Sequence, residues 1–121
     1  MDHRSTIRVA VVVDAEVALL NDPRRVYPAE TLDVSPAGVR FLLREPLPIG
    51  TVVRFRCLIP GRRQSIPIDV QATIQSHHEV LANPTVLARD VYRHCADFAP
   101  LPSAVEDAIV SALLFIETRP S

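Results

Sequence analysis

The chain has 121 residues, of which 48% are hydrophobic and 22% charged, a length and composition typical of one compact domain. Thirteen basic residues, all of them arginine, stand against fourteen acidic ones and give a formal net charge of −1. Proteins that bind the phosphate backbone of DNA or RNA usually carry an excess of positive charge. The 5% aromatic content, without tryptophan, also offers few surfaces on which bases could stack. We therefore expect neither DNA nor RNA as a partner.

Neither a signal peptide nor a membrane-spanning segment is evident in the sequence. A domain of this size buries enough surface to fold without a disulfide or a metal ion. We therefore expect Cys57 and Cys95 to be reduced core residues of a cytoplasmic protein. The most apolar run, Val9 to Val13, is followed at once by Asp14 and is far too short to cross a bilayer.

Eleven prolines and three glycines divide most of the chain into short segments that alternate apolar and polar residues. This period of two is typical of β-strands with one buried face. Turn-forming residues separate the segments, for example at Asn21–Pro23 and Ser35–Gly38. We predict six strands, at Arg8–Leu20, Val26–Val34, Val39–Leu43, Thr51–Ile59, Ile66–Gln75 and Val86–Phe98.

The end of the chain changes to apolar spacings of three and four residues, which predict a C-terminal helix over residues 103–117. Ser103 and Glu106 have the spacing of a capping box, in which the serine oxygen accepts a backbone N–H and the glutamate reaches back to the cap. About six antiparallel strands followed by one helix indicate a mainly β fold. We expect a small barrel or closed sandwich with the helix covering one end.

Two short clusters carry residue types that suit one class of ligand. Arg4 and Arg8 precede the first strand, and Asp33, Ser35 and Gly38 lie between the second and third. Guanidinium groups bind phosphate oxygens and stack on purine rings, whereas a carboxylate accepts hydrogen bonds from the N–H groups of guanine. A serine adds a polar contact and a glycine lets the backbone approach closely. The clusters fit a phosphorylated guanine ligand, and taken alone they also fit a solvated terminus and an ordinary tight turn.

The order of these clusters, Arg4-x-x-x-Arg8 and then Asp33-x-Ser35-x-x-Gly38, resembles the PilZ domain family of bacterial cyclic di-GMP receptors. The resemblance covers nearly the whole chain. It includes the loop before the fourth strand and the stretch that leads into the C-terminal helix, where the family usually has a glycine that this chain lacks.

The resemblance implies a single PilZ-like domain over residues 1–121, built as a six-stranded antiparallel β-barrel with a C-terminal helix. Residues 1–8 would be a flexible ligand-binding arm, residues 9–99 the barrel and residues 103–117 the helix. It also implies the ligand site, in which Arg4 and Arg8 bind the phosphates and guanine faces while Asp33 and Ser35 read guanine beside Gly38. Arg24 and Arg25, in the turn after the first strand, are alternative arginines for this site.

Metal binding and catalysis find little support in the sequence. His77 and His78 are neighbours in a strand and so point to opposite faces, and paired Cys/His spacings are missing. No local arrangement provides a nucleophile with a base, or a glycine-rich phosphate loop. We expect no metal site, no cofactor and no enzymatic activity.

We therefore expect a non-catalytic receptor or adaptor for cyclic di-GMP in bacterial signalling. The ligand would order the N-terminal arm and change the interaction with an effector protein. The alternative is a nucleotide-independent protein–protein interaction module of the same fold. Val110, Leu114 and Phe115 make the C-terminal helix apolar over more than half of its circumference, which indicates an interface with an effector or a second copy. The chain would then be a monomer or a homodimer.

Overall fold

The computed structural model describes residues 7–80 and 91–119, which contain seven strands and one helix. In chain order they are β1 (Val9–Ala10), β2 (Asp14–Leu19), β3 (Asp22–Val34), β4 (Gly38–Leu43), β5 (Val52–Ile59), β6 (Ile66–Val80), β7 (Val91–Phe98) and α1 (Ser103–Thr118).

All strand pairs are antiparallel and together they close a barrel. Strands β1 and β2 pair with the two halves of β3 along the same edge and so share one position. The ring then runs β3, β2, β5, β6, β7 and β4, and the pairing of β4 with β3 closes it. The prediction of a six-stranded antiparallel β-barrel with a C-terminal helix is confirmed.

The first barrel strand is broken, so the prediction of one continuous strand over Arg8–Leu20 was wrong. Ala10 lies opposite Asp33 and Asp14 opposite Glu30. Three residues, 11–13, therefore face two residues of β3. Such an extra residue is a β-bulge, which interrupts the ladder and bends the strand. The valine-rich sequence favours strand throughout and does not mark the position of the extra residue.

Other strand boundaries also differ from the prediction. The first hairpin turns at Leu20 and Asn21, and β3 already begins at Asp22. Strand β4 pairs with β3 only from Glu30 onwards, so the edge of β3 away from β2 is unpaired at Pro28. A proline, which lacks a backbone N–H, is tolerated at such an edge. Strand β6 continues past the predicted end to Val80. Residues 86–90 of the predicted sixth strand lie outside the described residues.

Alternation along the strands sends one set of side chains into the barrel. In β5 the inward-facing residues are apolar and buried, whereas two arginines lie between them on the outer face. Helix α1 packs against β6 and β1 and adds its own apolar residues to the core. Side chains at the centre of this core include Val17, Phe41, Phe55, Ile59, Ile74, Ile109 and Leu113.

The helix begins without the predicted capping box. Pro102 occupies the N-cap position in an extended conformation, with φ −57° and ψ 145°. Its carbonyl oxygen accepts the backbone N–H groups of Val105 and Glu106 at 3.0 Å each. Ser103 is already the first helical residue, so its side chain is one position too late to cap the helix. In the described part of the chain no helix has the length and apolar character needed to cross a membrane.

Candidate functional site

The two clusters singled out in the sequence meet at the point where β1 begins and β3 ends. Arg8 directly precedes β1, and the register of β1 with β3 places Ala10 opposite Asp33. The Arg8 Nη1 donates a hydrogen bond to the Asp33 Oδ1 at 2.5 Å, although the two residues are 25 positions apart in sequence. Both side chains are partly exposed, at 37% for Arg8 and 19% for Asp33. The predicted juxtaposition of these two residues is thus present in the structure.

Asp33 faces outward because the strand that carries it is irregular on both edges. Beside the bulge at residues 11–13, the pairing of β3 with β4 shifts register between Thr31 and Asp33. Thr31 and Val34 are buried, whereas Leu32 and Asp33 between them are both partly exposed. A regular strand would alternate instead. The irregularity therefore turns the carboxylate towards the barrel surface.

The turn between β3 and β4 is held by Ser35. Its side chain is buried, and its hydroxyl accepts the backbone N–H of Ala37 at 3.2 Å and that of Gly38 at 3.1 Å. The same hydroxyl donates to the carbonyl oxygen of Gly38 at 3.3 Å. These contacts lie within the turn, so the hydroxyl of Ser35 determines the shape of the segment that follows Asp33.

Gly38 permits a close approach of two strands. A Cβ atom at this position would lie 2.3 Å from the carbonyl oxygen of Ala96 in β7. Gly38 pairs with Asp97 in the β4–β7 ladder, and the backbone N–H of Phe98 donates to the carbonyl oxygen of Ala37 at 2.8 Å. The glycine therefore lets the turn pack against β7. The close backbone approach that the sequence suggested for a ligand is here a contact within the protein.

A third arginine belongs to this site and was missed in the sequence. The Arg40 Nη1 lies 3.7 Å from the Asp33 Oδ2, because the β3–β4 hairpin places Arg40 directly opposite Asp33. The predicted turn at Ser35–Gly38 contained the signal. A hairpin closed there pairs residues 34 and 39, and then 33 and 40.

Arg24 and Arg25 do not join the site. They lie near the start of β3, whereas Asp33 lies near its end. Eight to nine strand residues separate them from Asp33, which corresponds to roughly 26 to 30 Å along an extended strand. Arg25 lies 5.9 Å above the ring centre of Tyr27. The other predicted ligand residue, Arg4, lies outside the described residues.

Two of the histidines pack against each other across neighbouring strands, which their spacing along the chain did not reveal. His77 and His94 are opposite each other in the β6–β7 ladder, with ring centres 5.8 Å apart. His94 is fully buried, and its Nε2 accepts the backbone N–H of Leu47 at 2.9 Å. Its Nδ1 therefore carries the proton and donates to the carbonyl oxygen of Tyr92 at 3.1 Å. Both nitrogens are engaged, so this histidine is part of the core and is unsuited to binding a metal ion.

Within residues 7–80 and 91–119 no three His, Cys, Asp or Glu side chains group closely enough to hold a metal ion. Both thiols are free. Cys57 is buried, and burial raises the pKa of its thiol to about 12, so it stays protonated and is a poor nucleophile.

Comparison with protein families identifies the class. The model of the PilZ domain matches residues 2–89, which is more than half of the chain and includes Arg4, Arg8, Asp33, Ser35 and Gly38. The chain belongs to the PilZ domain family. PilZ domains are in general non-catalytic signalling modules that bind cyclic di-GMP. No curated protein matches the chain by sequence.

Solved structures share the fold at low sequence identity. The inhibitor of motility MotI/DgrA of Bacillus subtilis aligns with a TM-score of 0.71 and 12% identity over 95% of this chain, which spans 51% of that protein. The PilZ domain with c-di-GMP of YcgR from Escherichia coli aligns with a TM-score of 0.69 and 15% identity, covering 92% of this chain and 89% of that one. The PilZ domain of CeSA from a cellulose-synthesizing bacterium gives 0.57 and 16%, covering 92% and 98%. This chain therefore corresponds to about half of the B. subtilis protein and to most of the other two.

Proposed function

We propose that this chain is a receptor for cyclic di-GMP and that the ligand binds on the barrel surface where Arg8, Asp33 and the Ser35–Gly38 turn meet. The contact between the Arg8 Nη1 and the Asp33 Oδ1, at 2.5 Å, carries the proposal. It brings a phosphate-binding cation and a guanine-reading carboxylate together from two clusters that are distant in sequence. Membership of the PilZ family supports the choice of ligand.

Each residue has a separate task in the proposed complex. Arg8 and Arg4 bind phosphate oxygens through their planar guanidinium groups. Asp33 accepts hydrogen bonds from the ring N–H and the amine of guanine. Ser35 and Gly38 contribute mainly by fixing the turn, because the serine hydroxyl is bonded within it and the glycine lies against the carbonyl of Ala96.

Ligand binding would exchange one charge-assisted contact for several. Arg8 is bonded to Asp33 in the structure, so a phosphate has to compete with that carboxylate for the guanidinium group. When Arg8 turns to the phosphate, residues 1–8 are drawn onto the barrel. The new surface then changes the affinity for an effector protein. The free thiols of Cys57 and Cys95 fit a cytoplasmic setting for this signalling.

Calorimetric titration of cyclic di-GMP at fixed salt tests the proposal. The wild type should bind saturably, and Arg8→Ala and Asp33→Asn should each weaken binding by about 1 to 3 kcal/mol, the value of a lost bidentate contact. Arg24→Ala is the matched control, since it removes an exposed arginine from the opposite end of β3. Absence of binding by the wild type, or an equal loss in Arg24→Ala, would overturn the proposal.

The alternative, a nucleotide-independent interaction module, rests on the apolar surface of α1. Of the three surplus apolar residues, Val110 is buried and Phe115 is partly covered, whereas Leu114 remains 45% exposed. The surface available to a partner on this helix is therefore smaller than the sequence indicated. If the alternative holds, Arg8→Ala leaves the binding of an effector unchanged and Leu114→Ser weakens it.

A further inference from the structure

The carboxylate of Asp33 lies between two guanidinium groups. Arg8 binds one oxygen at 2.5 Å, and Arg40 approaches the other at 3.7 Å from the neighbouring strand. Two cations around one anion leave a local excess of one positive charge. The two arginines differ in how they are held, because Arg8 precedes the first strand whereas Arg40 lies within the β4 ladder.

Arg40 is fixed by its backbone on both sides. It pairs with Asp33 in β3 and with Cys95 in β7, so its Cα position is determined by two ladders. Its side chain is 45% exposed and lies on the outer face of the barrel beside the carboxylate. If Arg8 leaves Asp33 for a phosphate, as the proposed function requires, the β3–β4 ladder still keeps Arg40 opposite Asp33.

We propose that Arg40 is a positioning residue for guanine recognition, which holds the carboxylate of Asp33 in place after Arg8 has moved to a phosphate of the ligand. This inference rests on the proposed function. A carboxylate that has lost both partners would be free to rotate and would follow Arg8 towards the phosphate. Retained by Arg40, it keeps its second oxygen fixed and its first oxygen free to accept hydrogen bonds from guanine.

A positioning role of Arg40 predicts that its loss changes the selectivity between two ligands. A merely structural role, or a direct contact of Arg40 with a phosphate, predicts no such change. Cyclic di-IMP has the same phosphates as cyclic di-GMP but lacks the guanine amine. Because the amine is what Asp33 distinguishes, the ratio of the two affinities measures how well the carboxylate is positioned. Loss of Arg40 should lower the affinity for cyclic di-GMP much more than the affinity for cyclic di-IMP.

The experiment is calorimetry of both cyclic dinucleotides with the wild type, Arg40→Gln and Arg40→Lys. We expect the wild type to prefer cyclic di-GMP about ten-fold, the value of one or two hydrogen bonds. Arg40→Gln should reduce that preference to about two-fold, and Arg40→Lys should restore most of it because a cation remains near Asp33. Arg63→Gln removes the same charge from the exposed β5–β6 connection and should leave both affinities unchanged.

Three other outcomes of the titrations would contradict the positioning role of Arg40. If Arg40→Gln weakens both ligands equally, the arginine acts on the phosphates and the positioning role is wrong. If Arg40→Gln changes neither affinity, Arg40 is not part of the site, and the proposed function stands without it. If the wild type binds neither dinucleotide, the proposed function fails and this inference fails with it. Melting curves of the variants exclude a loss of folding as the cause.

Discussion

The hydroxyl of Thr31 accepts the backbone N–H of Val13 at 2.9 Å, across the break in the first barrel strand. The same hydroxyl donates to the carbonyl oxygen of Val11, and the backbone N–H of Thr31 donates to the carbonyl oxygen of Val13 at 2.9 Å. A buried side chain of β3 thus replaces the ladder bonds that the bulge removes. It fixes the chain three to five residues after Arg8, at Val11 and Val13.

Replacing Thr31 by valine should destabilise the barrel, because the substitution keeps the shape of the side chain and leaves the N–H of Val13 without this acceptor. We expect the free energy of unfolding to fall by about 1 to 3 kcal/mol. Urea denaturation measures the loss. Thr31→Ser keeps the oxygen and is the control, so an equal loss in the two variants would show that the hydrogen bonds are not the cause.

Gly38→Ala should be among the most damaging small substitutions in the chain. The added Cβ would lie 2.3 Å from the carbonyl oxygen of Ala96, so β4 and β7 have to separate. We expect a loss of about 2 to 3 kcal/mol of stability, as for other overpacked positions. Gly50→Ala is the comparison, since Gly50 has φ +91° and open space around it.

At Gly50 the cost is backbone strain alone, about 1 kcal/mol. Thermal unfolding of the two variants therefore separates close approach from backbone conformation. A larger loss for Gly50→Ala than for Gly38→Ala would contradict the assignment of Gly38 to the contact with β7.

The stability of the protein should fall on acidification because of His94. Burial lowers the pKa of this histidine below its usual value, and the neighbouring His77 acts in the same direction, while the hydrogen bond to the Tyr92 carbonyl opposes the shift. The unfolded chain then takes up the proton at a higher pH than the folded chain. The free energy of unfolding therefore rises with pH through the region at and below about 6.5 and levels off above it.

Urea denaturation at pH 7.5 and pH 5.5 tests this dependence. The difference between these two pH values is at most about 1.4 kcal/mol, because pH 5.5 lies only about one unit below the usual pKa of histidine. His94→Gln should be less stable at pH 7.5 and should vary less between the two pH values. His78→Gln changes an exposed histidine of the same strand pair and should keep the dependence of the wild type. An unchanged slope in His94→Gln would refute the assignment.

The two thiols should differ in reactivity. Cys95 is partly exposed, whereas burial raises the pKa of Cys57 to about 12. An aromatic disulfide reagent at pH 8 should therefore modify one thiol in the native protein and both in urea. Cys95→Ser should abolish the native reaction. Because Cys95 lies opposite Arg40 in the β4–β7 ladder, bound cyclic di-GMP should slow its modification, and an unchanged rate would place the ligand elsewhere.

Local sequence signals determined much of the fold. The period of two along segments such as Ile66–Gln75 predicted strands because alternate side chains enter the barrel. The change of period at the end of the chain predicted α1 to within one residue of its end. The order of the two clusters was enough to indicate the family and, with it, the closed barrel.

The tertiary structure decided which side chains meet. Thirteen arginines are equivalent by composition, yet the pairing of β1 with β3 brings Arg8 to Asp33 and leaves Arg24 at the far end of the strand. The bulge at residues 11–13 and the capping of α1 by Pro102 escaped prediction for a related reason. Register and strand irregularities are set by packing between segments that are distant in sequence. They cannot be predicted from the alternation of apolar and polar residues within each segment.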